Sequence, residues 1–514
     1  MNGTLNRRTF LKTVGLSAAA LAAARWLHAA DATLRSSASL RNTSATLRSS
    51  ASLRSTRPPA GPKPNIIFIL ADDLGFGDPQ CDNPASKIPT PNIDRLATQG
   101  VRFSDAHSGS AVCTPTRYGI LTGRYCWRSS LKRGVLGGFS PPLIEKGRLT
   151  VPALLKQHGY ATACLGKWHL GMDWPGSDGK PDNGAGIDFA KPIKNGPTTY
   201  GFDYYYGISA SLDMPPYVFI ENDRTVCLPT ARQEKWDAVR AGPKAPDFKF
   251  EDVLPTLTKK AVDYISAQTP GKPFFLYLPL NAPHTPVVPS DFVKGKSQAG
   301  EYGDFVYEVD WTLGEVMKAL DEKNLAESTL LILTSDNGST LLELKEYGHR
   351  PNAPYRGRKS DIWDGGHREP FIARWPGKIK PGTVCDETIW LGDLMGTCAA
   401  LVGAVLPPDA GEDSYNILPA LTGEPHARPI RPGVVHHSID GMFAIREGKW
   451  KLVLGRGSGG WDGKGGPSDP EGQLYDMEKD SAEAENLYAK HPEIVQRLTA
   501  LLEKYKTDGR SRPK

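Results

Sequence analysis

Three short apolar runs without a polar break constrain this chain more than any other feature. Ile66–Leu70, Phe274–Leu278 and Leu330–Leu333 have strand length and no alternation, the pattern of parallel strands covered on both faces. Between and around them lie segments of helical character, at 92–99, 151–158 and 306–320. Alternating strands and helices predict a large, doubly wound, mostly parallel (mixed) α/β sheet flanked by helices. From about Pro429 the pattern changes to short strand runs at 442–446, 449–453 and 473–476, separated by glycine-rich turns. A last helix, 492–505, carries Ile494, Leu498, Leu501 and Leu502 at helical spacing. This predicts a main domain over 64–428, a small antiparallel subdomain with a closing helix over 429–506, and a tail over 507–514. A chain of 514 residues has ample length for both.

Charge is divided unevenly. Residues 1–63 carry ten Lys and Arg against the single acid Asp31, so the remaining 451 residues hold −4 of the overall +5. The body therefore offers no basic footprint for nucleic acid. Arg7-Arg8 is followed by Phe10-Leu11-Lys12, an apolar stretch over 14–24, and small residues at Ala29, Ala30 and Ala32. The stretch is too short to span a bilayer, which takes about 20 helical residues. Residues 1–30 are expected to be a twin-arginine export signal of a bacterial, periplasmic or extracellular protein. The ten residues 32–41 recur identically at 45–54. Rich in Ser, Ala and Arg, they are expected to form a linker over 31–63. The seven cysteines are dispersed, without a C-x-x-C pair, and neither a cysteine nor a histidine cluster with zinc spacing is visible.

Each long apolar run opens into a polar cluster: Asp72-Asp73 after the first, Asn281-Ala-Pro-His284 after the second, Asp336-Asn337-Gly338 after the third. Open α/β sheets place their sites at such strand ends. Singly, these tripeptides are ordinary turn and cap sequences. Together, three carboxylates and an amide make an oxygen-rich cage suited to a hard divalent cation, Ca²⁺ or Mg²⁺. Another strand, 161–165, leads into Lys167-Trp-His169, and Lys359 lies within Arg356-Gly-Arg-Lys-Ser-Asp-Ile-Trp363.

The remaining signal is Cys113-Thr114-Pro115-Thr116-Arg117, followed by Leu121-Thr-Gly-Arg124. This C-x-P-x-R pattern resembles that of the type I sulfatases, a family with an alkaline-phosphatase-like fold whose signature cysteine is oxidised to formylglycine. The resemblance runs co-linearly through 65–73, 90–94, 113–124, 166–171, 282–285, 335–338 and 357–366. It implies a sulfuric ester hydrolase whose Asp72, Asp73, Asp336 and Asn337 bind calcium, with the converted Cys113 completing the shell. It also implies that Arg117 and His169 hold the formylglycine, that Lys167 and Lys359 grip the sulfate, and that His284 faces the leaving group. A formylglycine-generating or anaerobic sulfatase-maturating enzyme is the implied partner, and a sulfated glycan or small molecule the implied substrate. Arg358 departs from the glycine that many relatives have before the lysine. The aromatic segment 200–223 reads as a loop-like insertion lining a sugar pocket or packing as a loop.

Two other classes compete. A phosphomonoesterase or phosphonate esterase of the same superfamily usually carries two metals and more histidine ligands than this set supplies. A glycan-binding protein with an unmodified Cys113 has no need of Arg117, Lys167, His169 and Lys359 together.

Overall fold

The computed structural model describes residues 63–176 and 186–513. The expected export signal, and all of the expected linker but Lys63, lie outside the described residues. The three apolar runs form the adjacent central strands Thr329–Ser335, Asn65–Asp72 and Phe274–Pro283, all mutually parallel. Every residue of these three strands is buried, because helices cover both sheet faces. Burying a Leu, Ile or Phe side chain contributes about 1.5–3 kcal/mol, so an unbroken apolar run is stable only in this sandwiched place.

Ala161–Lys167 and then Tyr204–Ile208 extend the parallel block beyond Phe274–Pro283. Both flanks are antiparallel, through Phe371–Arg374 and Val101–Phe103 on one side and Ile220–Glu221 and Arg224–Thr225 on the other. Thr383–Cys385 closes the first flank, giving a ten-stranded mixed sheet among the described residues. Residues 200–223 are thus not a free loop insertion: Tyr204–Ile208 is a sheet strand, with Tyr205 fully buried. Short strands with aromatic side chains give no periodicity by which to distinguish them from a packed loop.

The C-terminal region forms a separate four-stranded antiparallel sheet, Val434–His437, Phe443–Glu447, Trp450–Val453 and Gln473–Asp476. The helix Pro492–Asp508 packs on it through Leu498, Leu502 and Tyr505. Both sheets belong to one compact unit. Among the described residues every cysteine is a free thiol, and no helix is long and apolar enough to cross a membrane.

One polar group joins two elements of the main body. The helix Pro91–Gln99 has no side-chain cap of its own. Asp310, from the helix Gly300–Glu322, accepts the amides of Asn92 (2.9 Å) and Ile93 (2.8 Å) and the Asn92 side chain (2.8 Å). A carboxylate there satisfies orphan N–H groups and complements the helix dipole. We expect Asp310→Ala to destabilise the fold by about 1–3 kcal/mol, read as a lower urea midpoint.

Candidate active site

The C-terminal ends of the central parallel strands converge on Cys113. Asp72 ends the first strand and Asp73 follows it with φ +67°. Asp336 and Asn337 follow Thr329–Ser335, and Lys167 ends Ala161–Lys167. His284 comes immediately after Phe274–Pro283. His169 has φ +55°. Non-glycine residues in this left-handed region cost on the order of 1–3 kcal/mol each, and such strain concentrates at functional sites. Glycine permits the close approach of the strands: a Cβ on Gly166 would sit 1.8 Å from the Pro279 carbonyl oxygen, and one on Gly338 1.9 Å from that of Gly365.

Cys113 opens the helix Cys113–Thr122, whose N-terminus has no side-chain cap. Pro115 sits in the first turn, where its missing N–H costs nothing. The remaining free amides and the dipole of that turn favour an anion. Arg117, one turn further, is fully buried. Its Nε and Nη2 donate to Asp336 Oδ2 at 2.9 and 2.7 Å, and its Nη1 to the Lys167 carbonyl at 2.9 Å. Lys167 Nζ donates to Asp72 Oδ2 at 2.6 Å, and Lys359 Nζ lies 2.8 Å from Asp73 Oδ1 and 2.9 Å from its Oδ2. Asn337 Nδ2 donates to Asp73 Oδ1 at 2.6 Å. Three aspartates and three cations thus form one buried, charge-balanced cluster.

The electrostatics follow from that crowding. Burial opposes ionisation of Asp72, yet Lys167, His284, Arg117 and Lys359 hold it well below the usual carboxylate range. Burial and the Asp72 charge push Asp336 up to about 6 despite Arg117. Burial raises the Cys113 thiol, against the pull of Lys167 and Lys359. Burial and Lys359 lower His284 to about 4, and burial with Lys167 and Arg117 takes His169 well below its ordinary value, so both rings are neutral at neutral pH.

The two imidazoles are oriented by backbone carbonyls. His169 Nε2 lies 2.7 Å from the Leu136 carbonyl oxygen and therefore carries the proton, leaving a buried Nδ1 lone pair without a partner. His284 Nδ1 likewise donates to the Thr285 carbonyl oxygen at 2.6 Å, leaving Nε2 3.7 Å from Asp73 Oδ2. The Leu136 contact had no signal in the sequence, because the residue lies 33 positions away in a loop.

The donors present suit a hard cation. Asn337 Oδ1 is buried without a hydrogen-bond partner, and Asp72 Oδ1 has only the Arg117 guanidinium at 3.5 Å; buried oxygens so weakly met are costly unless something positive approaches them. Ligand atoms of Asp72, Asp73 and His284 lie within 4.8 Å of one another.

Sequence reasoning missed the layer beneath. Asp78 Oδ2 accepts from the Gly75 amide (2.8 Å) and from Tyr302 Oη (2.6 Å), its Oδ1 pairs with His349 Nε2 (2.8 Å), and Tyr302 also reaches Ser339 Oγ (2.9 Å). This network ties the turn after Asp73 to the turn after Asn337. Gly75 and Ser339 lie beside the Asp72-Asp73 and Asp336-Asn337-Gly338 motifs, but Tyr302 and His349 carry no such signal.

Comparison with known proteins identifies the family. The family model for sulfatases matches residues 64–404. An N-acetylgalactosamine-6-O-sulfatase of Bacteroides thetaiotaomicron is 36% identical over 494 residues, covering 87% of this chain and 93% of its own. Human steryl-sulfatase is 34% identical, covering 71% and 70%. A solved structure from work on glycosaminoglycan metabolism by Bacteroides thetaiotaomicron has a TM-score of 0.78 at 35% identity, covering 87% of this chain and 100% of that one. With the family model spanning most of the chain and relatives of over 30% identity covering more than two thirds of it, this chain belongs to the sulfatase family and is a sulfuric ester hydrolase.

Proposed function

We propose that the enzyme removes a 6-O-sulfate from an N-acetylhexosamine-containing glycan through a formylglycine made from Cys113. The observation that carries the mechanism is the buried cluster itself: the Asp72–Lys167, Asp73–Lys359 and Asp336–Arg117 pairs around a residue at an uncapped helix N-terminus. The substrate class is supported by the resemblance to the N-acetylgalactosamine-6-O-sulfatase, which covers more of both chains than that to the steryl-sulfatase. It is supported also by polar groups flanking the histidines. Ser209 and Ser211 Oγ, both amide atoms of Asn281, and Asp213 Oδ1 are buried without partners. The hydroxyls of a sugar can satisfy such groups; the apolar rings of a sterol cannot.

In this reading Asp72, Asp73, Asp336, Asn337 and residue 113 hold a calcium ion, favoured over magnesium by an all-protein oxygen cage. When bound, the ion supplies positive charge against the sulfuryl oxygens. Formylglycine, hydrated, supplies an oxygen nucleophile that no encoded side chain offers. Arg117, charged at any working pH, fixes the Asp336 carboxylate beside residue 113, where it accepts the proton of the attacking hydroxyl. Lys167 and Lys359 bind the sulfate and neutralise charge that grows as the S–O bond breaks. An arriving anion raises the His284 pKa, so the ring takes up a proton on binding and returns it to the leaving oxygen. The bare Nδ1 of His169 accepts the proton whose departure expels sulfate. Residues 64–428 form the catalytic part and 429–506 the supporting subdomain, of a protein exported by the signal in residues 1–30 after modification by a maturating enzyme.

The proposal has direct tests. Mass spectrometry of the peptide spanning residue 113, from native-host protein, should find formylglycine; an intact thiol there would sink the mechanism. Cys113→Ala should lower sulfate release to background. Arg117→Ala should also destabilise the fold, by about 3–5 kcal/mol, because it strips compensation from the buried Asp336 and Asp72. Dialysis against a calcium chelator should abolish turnover, and added Ca²⁺ should restore it. Purified enzyme should release sulfate from N-acetylgalactosamine-6-sulfate faster than from a steryl sulfate or phosphate from aryl phosphates; the reverse order would reject the substrate class.

A further inference from the structure

The structure gathers three histidines whose wide separation in the sequence gives no sign of a cluster. His107 ends the short strand Ala106–His107, His367 follows the turn Asp364–Gly366, and His436 lies on Val434–His437 of the small sheet. All three are fully buried, and one ligand atom from each lies within 4.8 Å of the others. None belongs to the cluster around Cys113.

Their proton positions follow from their partners. His107 Nε2 is 3.0 Å from Asp105 Oδ1, His367 Nε2 is 3.0 Å from the Ile362 carbonyl oxygen, and His436 Nδ1 is 3.3 Å from the Ser108 carbonyl oxygen. A carboxylate paired with Arg446 and Arg368 and two carbonyls can only accept, so a ring nitrogen bonded to one of them donates. Arg446 Nη1, 3.3 Å from His107 Nε2, gives its proton to Asp105 Oδ1 at 2.6 Å, whereas Lys451 Nζ, 3.1 Å from His367 Nε2, has a third N–H beyond those given to Asp364 and Glu483 and competes with the Ile362 carbonyl for that nitrogen, so His367 has two tautomers open to it. With the His367 proton on Nε2, the opposite nitrogens of the neutral rings are bare. His107 Nδ1 faces His367 Nδ1 at 3.2 Å, and His436 Nε2 is buried without a partner.

Two lone pairs facing at that distance repel unless something positive lies between them. A shared proton would join one pair of rings and leave His436 Nε2 orphaned. A metal ion uses all three. Tetrahedral Zn²⁺ with Zn–N of about 2.0–2.1 Å separates two ligand nitrogens by about 3.3 Å, close to the distance found. The Asp105–His107 contact is the carboxylate–histidine pattern that orients metal-bound imidazoles. His436 stacks on His367 (centroids 3.8 Å, 13°), so ligation requires its ring to tilt out of the stack. Asp105, Asp364 and Glu483 pair with Arg368, Arg446 and Lys451 around the rings, leaving only neutral nitrogens as ligands. That donor set selects a borderline transition metal and not calcium.

We infer that His107, His367 and His436 form a structural site for a zinc-class divalent ion. It fastens the C-terminal sheet to the segment that leads into Cys113.

The test loads calcium-saturated, chelator-treated wild-type enzyme with Zn²⁺ and measures the metal retained after dialysis. We expect one zinc per chain, with nitrogen neighbours at about 2.0–2.1 Å by X-ray absorption. His436→Gln should lose this zinc, and Asp105→Asn should bind it 10–100-fold more weakly. Asp73→Asn, altered only in the catalytic cluster, should keep it. No zinc retained by the wild type would overturn the proposal in favour of a shared proton. Loss from Asp73→Asn with retention in His436→Gln would assign the ion to the catalytic cluster instead. Should His436→Gln fail to fold, the wild-type absorption spectrum and Asp105→Asn still decide: an oxygen shell, or unchanged affinity, rejects the site.

Discussion

Concentrating negative charge where water cannot reach it is the problem around which this molecule is arranged. Asp72, Asp73 and Asp336 are all buried at neighbouring strand ends. Isolated carboxylates in such a place would take up protons or unfold the chain. Lys167, Lys359 and Arg117 each meet one of them. The same charges that neutralise the aspartates in the free enzyme are the ones a sulfate ester needs. In the proposed mechanism a divalent ion on the carboxylates would free the lysines for the substrate, so metal binding and anion binding would reinforce each other.

The sheet makes this arrangement stiff. Parallel strands deliver their C-terminal ends to one edge, so residues 263 positions apart in the chain, such as Asp73 and Asp336, arrive within reach of a shared centre. Where strands crowd too closely for a side chain, glycine stands. Where the backbone must turn sharply to aim a functional group, Asp73 and His169 accept a positive φ. Beneath, Asp78 links two of the converging turns through Gly75, Tyr302 and His349. The Leu136 and Thr285 carbonyls decide which nitrogen of each active-site histidine is bare. These contacts position the chemistry without taking part in it.

The small C-terminal sheet is joined to this machinery by polar contacts as well as packing. Lys451 reaches Asp364, the Ala111 amide donates to the His437 carbonyl, and Ser360 is bonded through its carbonyl to Ile439. The histidine trio lies in the same seam. A subdomain that contributes none of the clustered aspartates or lysines therefore bears directly on the segments carrying Cys113 and Lys359.

The central strands, several helices and the residues of the strand-end cluster were legible in the sequence because each rests on local pattern. An unbroken apolar run has one stable environment, and Asp-Asp or Asp-Asn-Gly after such a run marks a strand end. The cysteine signature is local too, within one helical turn. What the chain alone could not convey is everything made by long-range approach. The outer strands of the sheet are two to five residues long and carry no periodicity; Tyr204–Ile208 read as a loop. The Leu136–His169 bond, the Asp78 network and the meeting of His107, His367 and His436 join residues tens to hundreds of positions apart. Sequence determined which chemical groups are present and which strand ends they follow, because secondary structure responds to neighbours. Tertiary structure decided which groups touch, which nitrogen is bare and which charge is balanced, because those depend on distances that only the closed fold defines.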